Sequence, residues 1–296
     1  MSVELSPLAL SPLALSLVAA SLFAVGIQFS RKGLNHGDYK AGTWLNILSA
    51  SFAFWLFAPF GLPPSQWSWP AFWIFVGIGF AMPLISSHCA FAATKILGPT
   101  ISATVSGVSP LFSAVFAVVV LGEVMTVGVG LGTVAIVCGV VVLSWQGKAK
   151  VDWPLWALVL PIAAALIRAL AQGFTKIGFE EIPSPYFAAL VGYTVSAILA
   201  SLLYLSRGER FPPLIRRPGL NWFVAGGFIN ACAIAVLYVA LRNGELVVVG
   251  PGVSTYPVFT LLLSALIFRQ EPIGWRKIIG VALVVPGVAL IAARSI

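Results

Sequence analysis

"SPLFSAVFAVVVLGE" (109–123) and "YPVFTLLLSALIFRQE" (256–271) are two versions of one segment. Each places a Pro second, follows it with an aliphatic residue, Phe and a hydroxyl residue, and then runs apolar to a Glu. The agreement continues downstream. "GLGTVAIVCGVVVLS" (130–144) stands against "IIGVALVVPGVALIA" (278–292), with Gly132 opposite Gly280 and Gly139 opposite Gly287. Upstream, "QFSRK" (28–32) stands against "QGFTK" (172–176). The offset stays nearly constant from one match to the next, so the chain is an internal repeat.

Composition says what is being repeated. Residues are 59% hydrophobic and 9% charged, with a mean hydropathy of +1.01. A soluble domain carries about a quarter charged residues, so this is a polytopic membrane protein. Apolar runs cover about 11–30, 41–61, 70–94, 100–121, 125–145, 154–176, 185–205, 220–241, 247–268 and 275–293. Each is long enough for a spanning helix of roughly 20 residues. Continuous runs such as "VAIVCGVVVLSW" do not alternate as barrel strands must. Helices are expected because lipid offers open backbone groups no partner.

The linker-like stretch "QGKAKVDWP" (146–154) divides the chain into residues 1–147 and 148–296, five spans each. Five is odd, so the second copy enters the membrane from the opposite side. The expected fold is all-α and integral to the membrane: ten transmembrane helices in two inverted five-helix repeats around a central cavity. Such a pair suits a carrier that opens alternately to either side.

The net charge is +8, but no soluble module presents it to nucleic acid, so it reads as loop charge. Cys89, Cys138 and Cys232 fall in apolar segments and show no disulfide or metal spacing. No cofactor or metal is expected. Only Glu4 precedes the first apolar run, unlike the basic start of a cleaved signal peptide, so a retained helix is expected.

With its ten helices, its five-plus-five repeat and its Pro-aliphatic-Phe-Ser/Thr helices ending in Glu123 and Glu271, the chain resembles the EamA-like branch of the drug/metabolite transporter superfamily. The resemblance covers nearly the whole chain. It implies a basket-shaped bundle whose cavity is lined by helices 1, 3, 4, 6, 8 and 9. It also implies export of amino acids or other metabolites across a bacterial inner membrane, with both termini in the cytoplasm. Loop charge points the other way. Thirteen Lys and Arg, among them Arg31, Lys40, Arg207 and Lys277, lie on the side away from the termini, against Lys176, Arg242 and Arg294 on the terminal side. The positive-inside rule would put the termini outside.

Arg168, within "PIAAALIRALAQGF" (161–174), is the sharpest single residue. A charge at the membrane centre costs at least ~2.5–3.5 kcal/mol and marks a cavity or pathway. Arg168, Gln172 and Lys176 follow at i, i+4 and i+8, on one helix face, and Gln28 and Lys32 form the matching pair in the first repeat. Guanidinium recognises carboxylate or phosphate bidentately. The alternative for Arg168 is a snorkelling or internally bonded side chain. No Asp or Glu lies mid-span, which argues against a proton-exchanging exporter of cations and leaves Arg168 without an evident counter-ion.

His88 is a candidate proton-coupling or site residue, with a locally bonded neutral ring as the alternative. Asn230, Tyr238 and Tyr256 are candidates for hydrogen bonding to substrate, against interhelical bonding. Pro110 and Pro257 stand mid-span at matched positions and are expected as hinges, while Pro83, Pro161 and Pro286 are expected to kink other spans. Glu123 and Glu271 read as end anchors or contacts between repeats. The leading reading is a secondary transporter of a small organic metabolite with an anionic group. The substrate and the lipid bilayer are the expected partners, and nothing requires more than a monomer. A broad-specificity exporter of drugs or aromatic compounds is the alternative. A membrane enzyme or lipid-handling protein lacks the paired acids or metal cluster it would need, and no catalytic residue is expected.

Overall fold

The computed structural model describes residues 11–35, 39–61, 69–97, 99–144, 154–206, 218–266 and 274–293, and these are helical with short connections. Thirteen α-helices build ten spans. Single helices α1 (Pro12–Leu34) and α2 (Tyr39–Gly61) form the first two. Span 3 is α3 (Trp69–Phe80) and α4 (Ser86–Leu97), joined by a π-helical turn at Ala81–Ile85. Span 4 is α5 (Pro99–Ser106) and α6 (Ser109–Val119), and span 5 is α7 (Val127–Ser144). In the second half, α8 (Val159–Glu181), α9 (Pro185–Ser206) and α10 (Asn221–Asn243) are spans 6 to 8. Span 9 is α11 (Leu246–Val253) with α12 (Tyr256–Leu266), and span 10 is α13 (Trp275–Ala292). Among the described residues nine stretches are long and apolar enough to cross a membrane; the interrupted span 4 is the tenth.

The packing is unchanged when span n is exchanged for its counterpart five along. Span 1 packs on spans 8 and 9, and span 6 packs on spans 3 and 4. Span 2 packs on spans 7 and 8, and span 7 on spans 2 and 3. Spans 5 and 10 pack on each other. The repeats therefore interlock around a pseudo-twofold axis, each half completing the other's core.

Glycine makes the α7–α13 contact possible. A Cβ on Gly132 would stand 2.6 Å from the Gly287 carbonyl oxygen, and one on Gly139 2.7 Å from that of Gly280. The reverse distances are 2.8 and 2.9 Å. The two helices thus touch backbone to backbone at two points one heptad apart, as small residues allow in lipid.

The prolines fall at different kinds of places in the spans. Pro110 and Pro257 are each the second residue of a new helix, after breaks at 107–108 and 254–255. Proline lacks the N–H that a continuing helix would need and is preorganised for a first turn, so the spans are divided in two, not bent. Pro161 lies at the junction between a 3₁₀ turn (Leu155–Leu158) and α8, and Pro286 lies inside α13. Span 3 does deviate at Pro83: the preceding Met82 has extended backbone angles (φ −133°, ψ 136°) inside the π turn.

Candidate functional site

The two helix breaks meet the middle of α8 at an inner cavity of about 220 Å³. Arg168 and Gln172 line it from α8, one turn apart on the same face. Ser106 and Ser109 line it from the break in span 4, Ser254 and Tyr256 from the break in span 9, and Pro110 lies beside them. Phe23, Ile27, Met82, Val140, Leu237 and Val253 make up the apolar wall.

Hydroxyls hold α8 in place. Ser109 Oγ donates to the Ala165 carbonyl at 3.2 Å, and Ser86 Oγ from α4 donates to the Ala164 carbonyl at 3.4 Å. These bonds fall one turn before Arg168 and fix the register in which it faces the cavity. Among the described residues Arg168 has neither a hydrogen bond nor an ion pair, and the side chains of Gln172 and Tyr256 have no hydrogen-bond partner. No acidic residue lines the cavity.

A second cavity of about 370 Å³ lies along the later part of α1. Ile27 borders both cavities, and Met82 and Pro83 border one each, so these side chains stand between them. Asn230 belongs to this outer cavity. Its Nδ2 donates to Asn46 Oδ1 at 3.0 Å, and Ser30, Arg31, Thr43 and Tyr193 are also in the wall. Sequence reasoning named Asn230 but missed its partner Asn46 and the cavity they share. Asn46, an isolated amide in an apolar span, was its available signal.

The remaining candidates lie elsewhere. Lys176, at the end of α8, pairs with Glu123 at 3.2 Å and donates to the Gly244 carbonyl. Glu123 also accepts the Leu246 and Val247 N–H groups at 2.8 and 2.9 Å, capping α11. Gly122 (φ +66°) makes the left-handed turn that brings Glu123 back, and Glu123 N–H returns to the Ala117 carbonyl. This knot ties the ends of spans 4 and 6 to the turn between spans 8 and 9. Glu123 is therefore a contact between repeats; Glu271 lies outside the described residues.

Lys32 lies over the Trp222 ring at 4.5 Å. Gln28 is buried and donates from Nε2 to the Thr260 carbonyl at 3.0 Å, with its Oε1 unpartnered. His88 Nδ1 is 2.9 Å from the Leu84 carbonyl, and the ring lines neither cavity. Tyr238 is buried in the core, edge-on to Phe179 at 6.0 Å. Pro257 is partly buried, one residue past the cavity wall. Of the sequence candidates, Arg168, Gln172, Tyr256 and Pro110 come together in the inner cavity; Asn230 does not join them. Among the described residues no group of His, Cys, Asp or Glu could hold a metal, and the three cysteines are free.

The fold has a solved counterpart. A structure described only as "Crystal structure of protein" superposes with a TM-score of 0.80 over 95% of this chain and 96% of that one, at 18% identity. At that identity the likeness shows the fold alone. No curated protein sequence matches this chain. The model of the EamA-like transporter family matches twice, over residues 10–145 and 155–293, one match to each repeat. Interlocked repeats, apolar spans and a central cavity are the makings of a membrane transporter of the drug/metabolite type, and the chain belongs to the EamA-like transporter family.

Proposed function

We propose that this protein is a secondary transporter, working as an exporter, for a small organic metabolite that carries an anionic group, and that it operates by alternating access in a bacterial inner membrane. The observation that carries the reading is Arg168: a permanent cation in the wall of a central cavity, with no protein partner among the described residues. Arg168 is partly buried; a guanidinium in such a wall recognises an anion bidentately, and the substrate supplies it. Gln172 and Tyr256 hydrogen-bond the rest of the bound group. The breaks at 107–108 and 254–255 are the points at which spans 4 and 9 bend as the cavity changes sides.

The experiment is a thermal-shift screen of purified protein in detergent, wild type against Arg168→Gln. The panel holds organic acids, amino acids, sugar phosphates, nucleotide sugars and lipophilic cations. The expected result is stabilisation by an anionic or zwitterionic compound that disappears in the variant. Stabilisation by cations alone, or by an anion equally in both proteins, would sink the proposal. Proteoliposome flux of the compound found, lost in Arg168→Gln, ties binding to transport.

A further inference from the structure

The inner cavity is specific about charge. It has one unpartnered cation, and none of the side chains lining it is acidic. The Glu123 carboxylate, which meets α8 at Lys176, is committed to that lysine and to the N-terminus of α11. An ammonium group entering the cavity would face Arg168 and find no counter-charge. Two backbone acceptors at the break in span 9 are also taken. The Gly250 carbonyl accepts from Ser254 N–H and Oγ, and the Gly252 carbonyl accepts from Thr255 N–H and Oγ1.

Apart from Arg168, Ser106, Ser109, Gln172, Ser254 and Tyr256 the wall is apolar, from Phe23 and Ile27 on α1 to Leu237 on α10. A sugar would set several of its hydroxyls against this apolar part of the wall, each at a cost. Size narrows the range further. A 150 Å³ apolar cavity holds benzene, so about 220 Å³ suits a molecule of roughly ten non-hydrogen atoms.

Resting on the reading of Arg168 as the anion site, we infer that the substrate is a monocarboxylate with a compact apolar or aromatic body and no ammonium group. The carboxylate lies on Arg168 with Gln172 and Tyr256 beside it. The body fills the space between Phe23, Met82 and Leu237. Zwitterionic amino acids of the same shape are excluded by the missing acid, and sugar phosphates by the apolar wall.

A matched pair tests this: 3-phenylpropanoate and phenylalanine, which differ only in the α-ammonium group. Binding of each to the full-length protein is measured by calorimetry, in wild type and in Arg168→Gln. The inference expects 3-phenylpropanoate to bind wild type, phenylalanine to bind at least about tenfold more weakly because its ammonium faces Arg168 with no carboxylate in the wall to pair with, and the variant to lose both. Phenylalanine binding as tightly or more tightly, still dependent on Arg168, would overturn the substrate class and leave the anion site standing. Binding of 3-phenylpropanoate undiminished in Arg168→Gln would overturn the anion site itself. Failure of 3-phenylpropanoate to bind at all would also overturn the class, and the wider anion screen would then judge Arg168 separately. Arg168→Lys, which keeps the charge but loses the fork, is expected to recover part of the binding.

Discussion

Replacing Glu123 with Gln should loosen the contact between repeats more than any other single conservative change at that face. The wild-type carboxylate is 7% exposed and accepts from Leu246 N–H at 2.8 Å, Val247 N–H at 2.9 Å and Lys176 Nζ at 3.2 Å. Glutamine keeps one acceptor oxygen and so can cap one of the two N–H groups. Its NH₂ then meets the other N–H, donor against donor, and Lys176 loses its counter-charge. A hydrogen bond to a charged group is worth about 1.5–3 kcal/mol. The Lys176 term belongs at the low end because its side chain is 22% exposed. Together these give a loss of roughly 3 kcal/mol. At a few degrees per kcal/mol for a chain this large, the melting temperature in detergent should fall by about 6 °C or more. Lys176→Met removes only the exposed partner, leaves both N–H bonds, and should cost about 1 kcal/mol. The double variant should lose less than the sum, because the pair is removed only once. A Glu123→Gln protein melting within a degree of wild type, or strict additivity in the cycle, would refute the claim that this carboxylate ties span 4 to spans 6 and 9.

Four further outcomes follow from the structure. Gly132→Ala and Gly287→Ala should each destabilise by about 1–3 kcal/mol, and by similar amounts, because either Cβ meets the other residue's carbonyl at 2.6 or 2.8 Å; thermal denaturation reads both. Gly122→Ala meets no neighbour, so its cost is that of the left-handed backbone alone, about 1–2 kcal/mol, and Gly122→Asn should recover part of it in the same melts. Gln28→Leu should change stability by no more than about 1 kcal/mol, since it gives up one bond to Thr260 but also removes a buried oxygen without a partner. Gln172→Leu, at the matched position but in the cavity wall, should leave stability alone and weaken ligand binding in calorimetry.

The sequence was most readable where the repeat was strongest. The two Pro-Phe segments and the glycine spacing led to the ten spans, the inverted halves and the helix pair that crosses at Gly132 and Gly139. Periodicity also placed Arg168 and Gln172 on one face. It could not say which neighbour that face meets, and there the reading thinned. Lys176 shares the face of Arg168 but lies two turns further on, where Glu123, distant in sequence, takes it up. Tyr238 is one residue from Leu237, which lines the cavity, yet it points into the core against Phe179. The prolines marked missing hydrogen bonds, but whether a span kinks or divides depends on whether the flanking residues form turns, and pattern alone does not show that. Asn46 stood out as an isolated amide in an apolar span, but its partner, Asn230, belongs to the other repeat, and pattern alone does not pair them.

A two-fold repeat also gives an internal control that a single domain lacks. What the scaffold needs occurs twice: a helix break before Pro110 and Pro257, a paired glycine contact in spans 5 and 10, a glutamine at 28 and at 172. Counting back from those glutamines, the position matching Arg168 is Ala24, which is fully buried in α1. The scaffold is thus built without an arginine on one side, and the arginine on the other side serves something that is not scaffold. This gives a prediction with an unusual sign. Arg168→Met keeps an unbranched, flexible stem, shorter than arginine's, and removes a charge that has no protein partner among the described residues. In ligand-free protein it should raise the melting temperature, by an amount corresponding to roughly 1 kcal/mol, because a partly buried charge without a protein partner is replaced by apolar contacts. The same variant should lose the stabilisation that an anionic ligand gives wild type. The two measurements are made on one sample, before and after ligand is added. A fall in the ligand-free melting temperature would mean that Arg168 holds the bundle together, and its place in the cavity wall would then be incidental to binding.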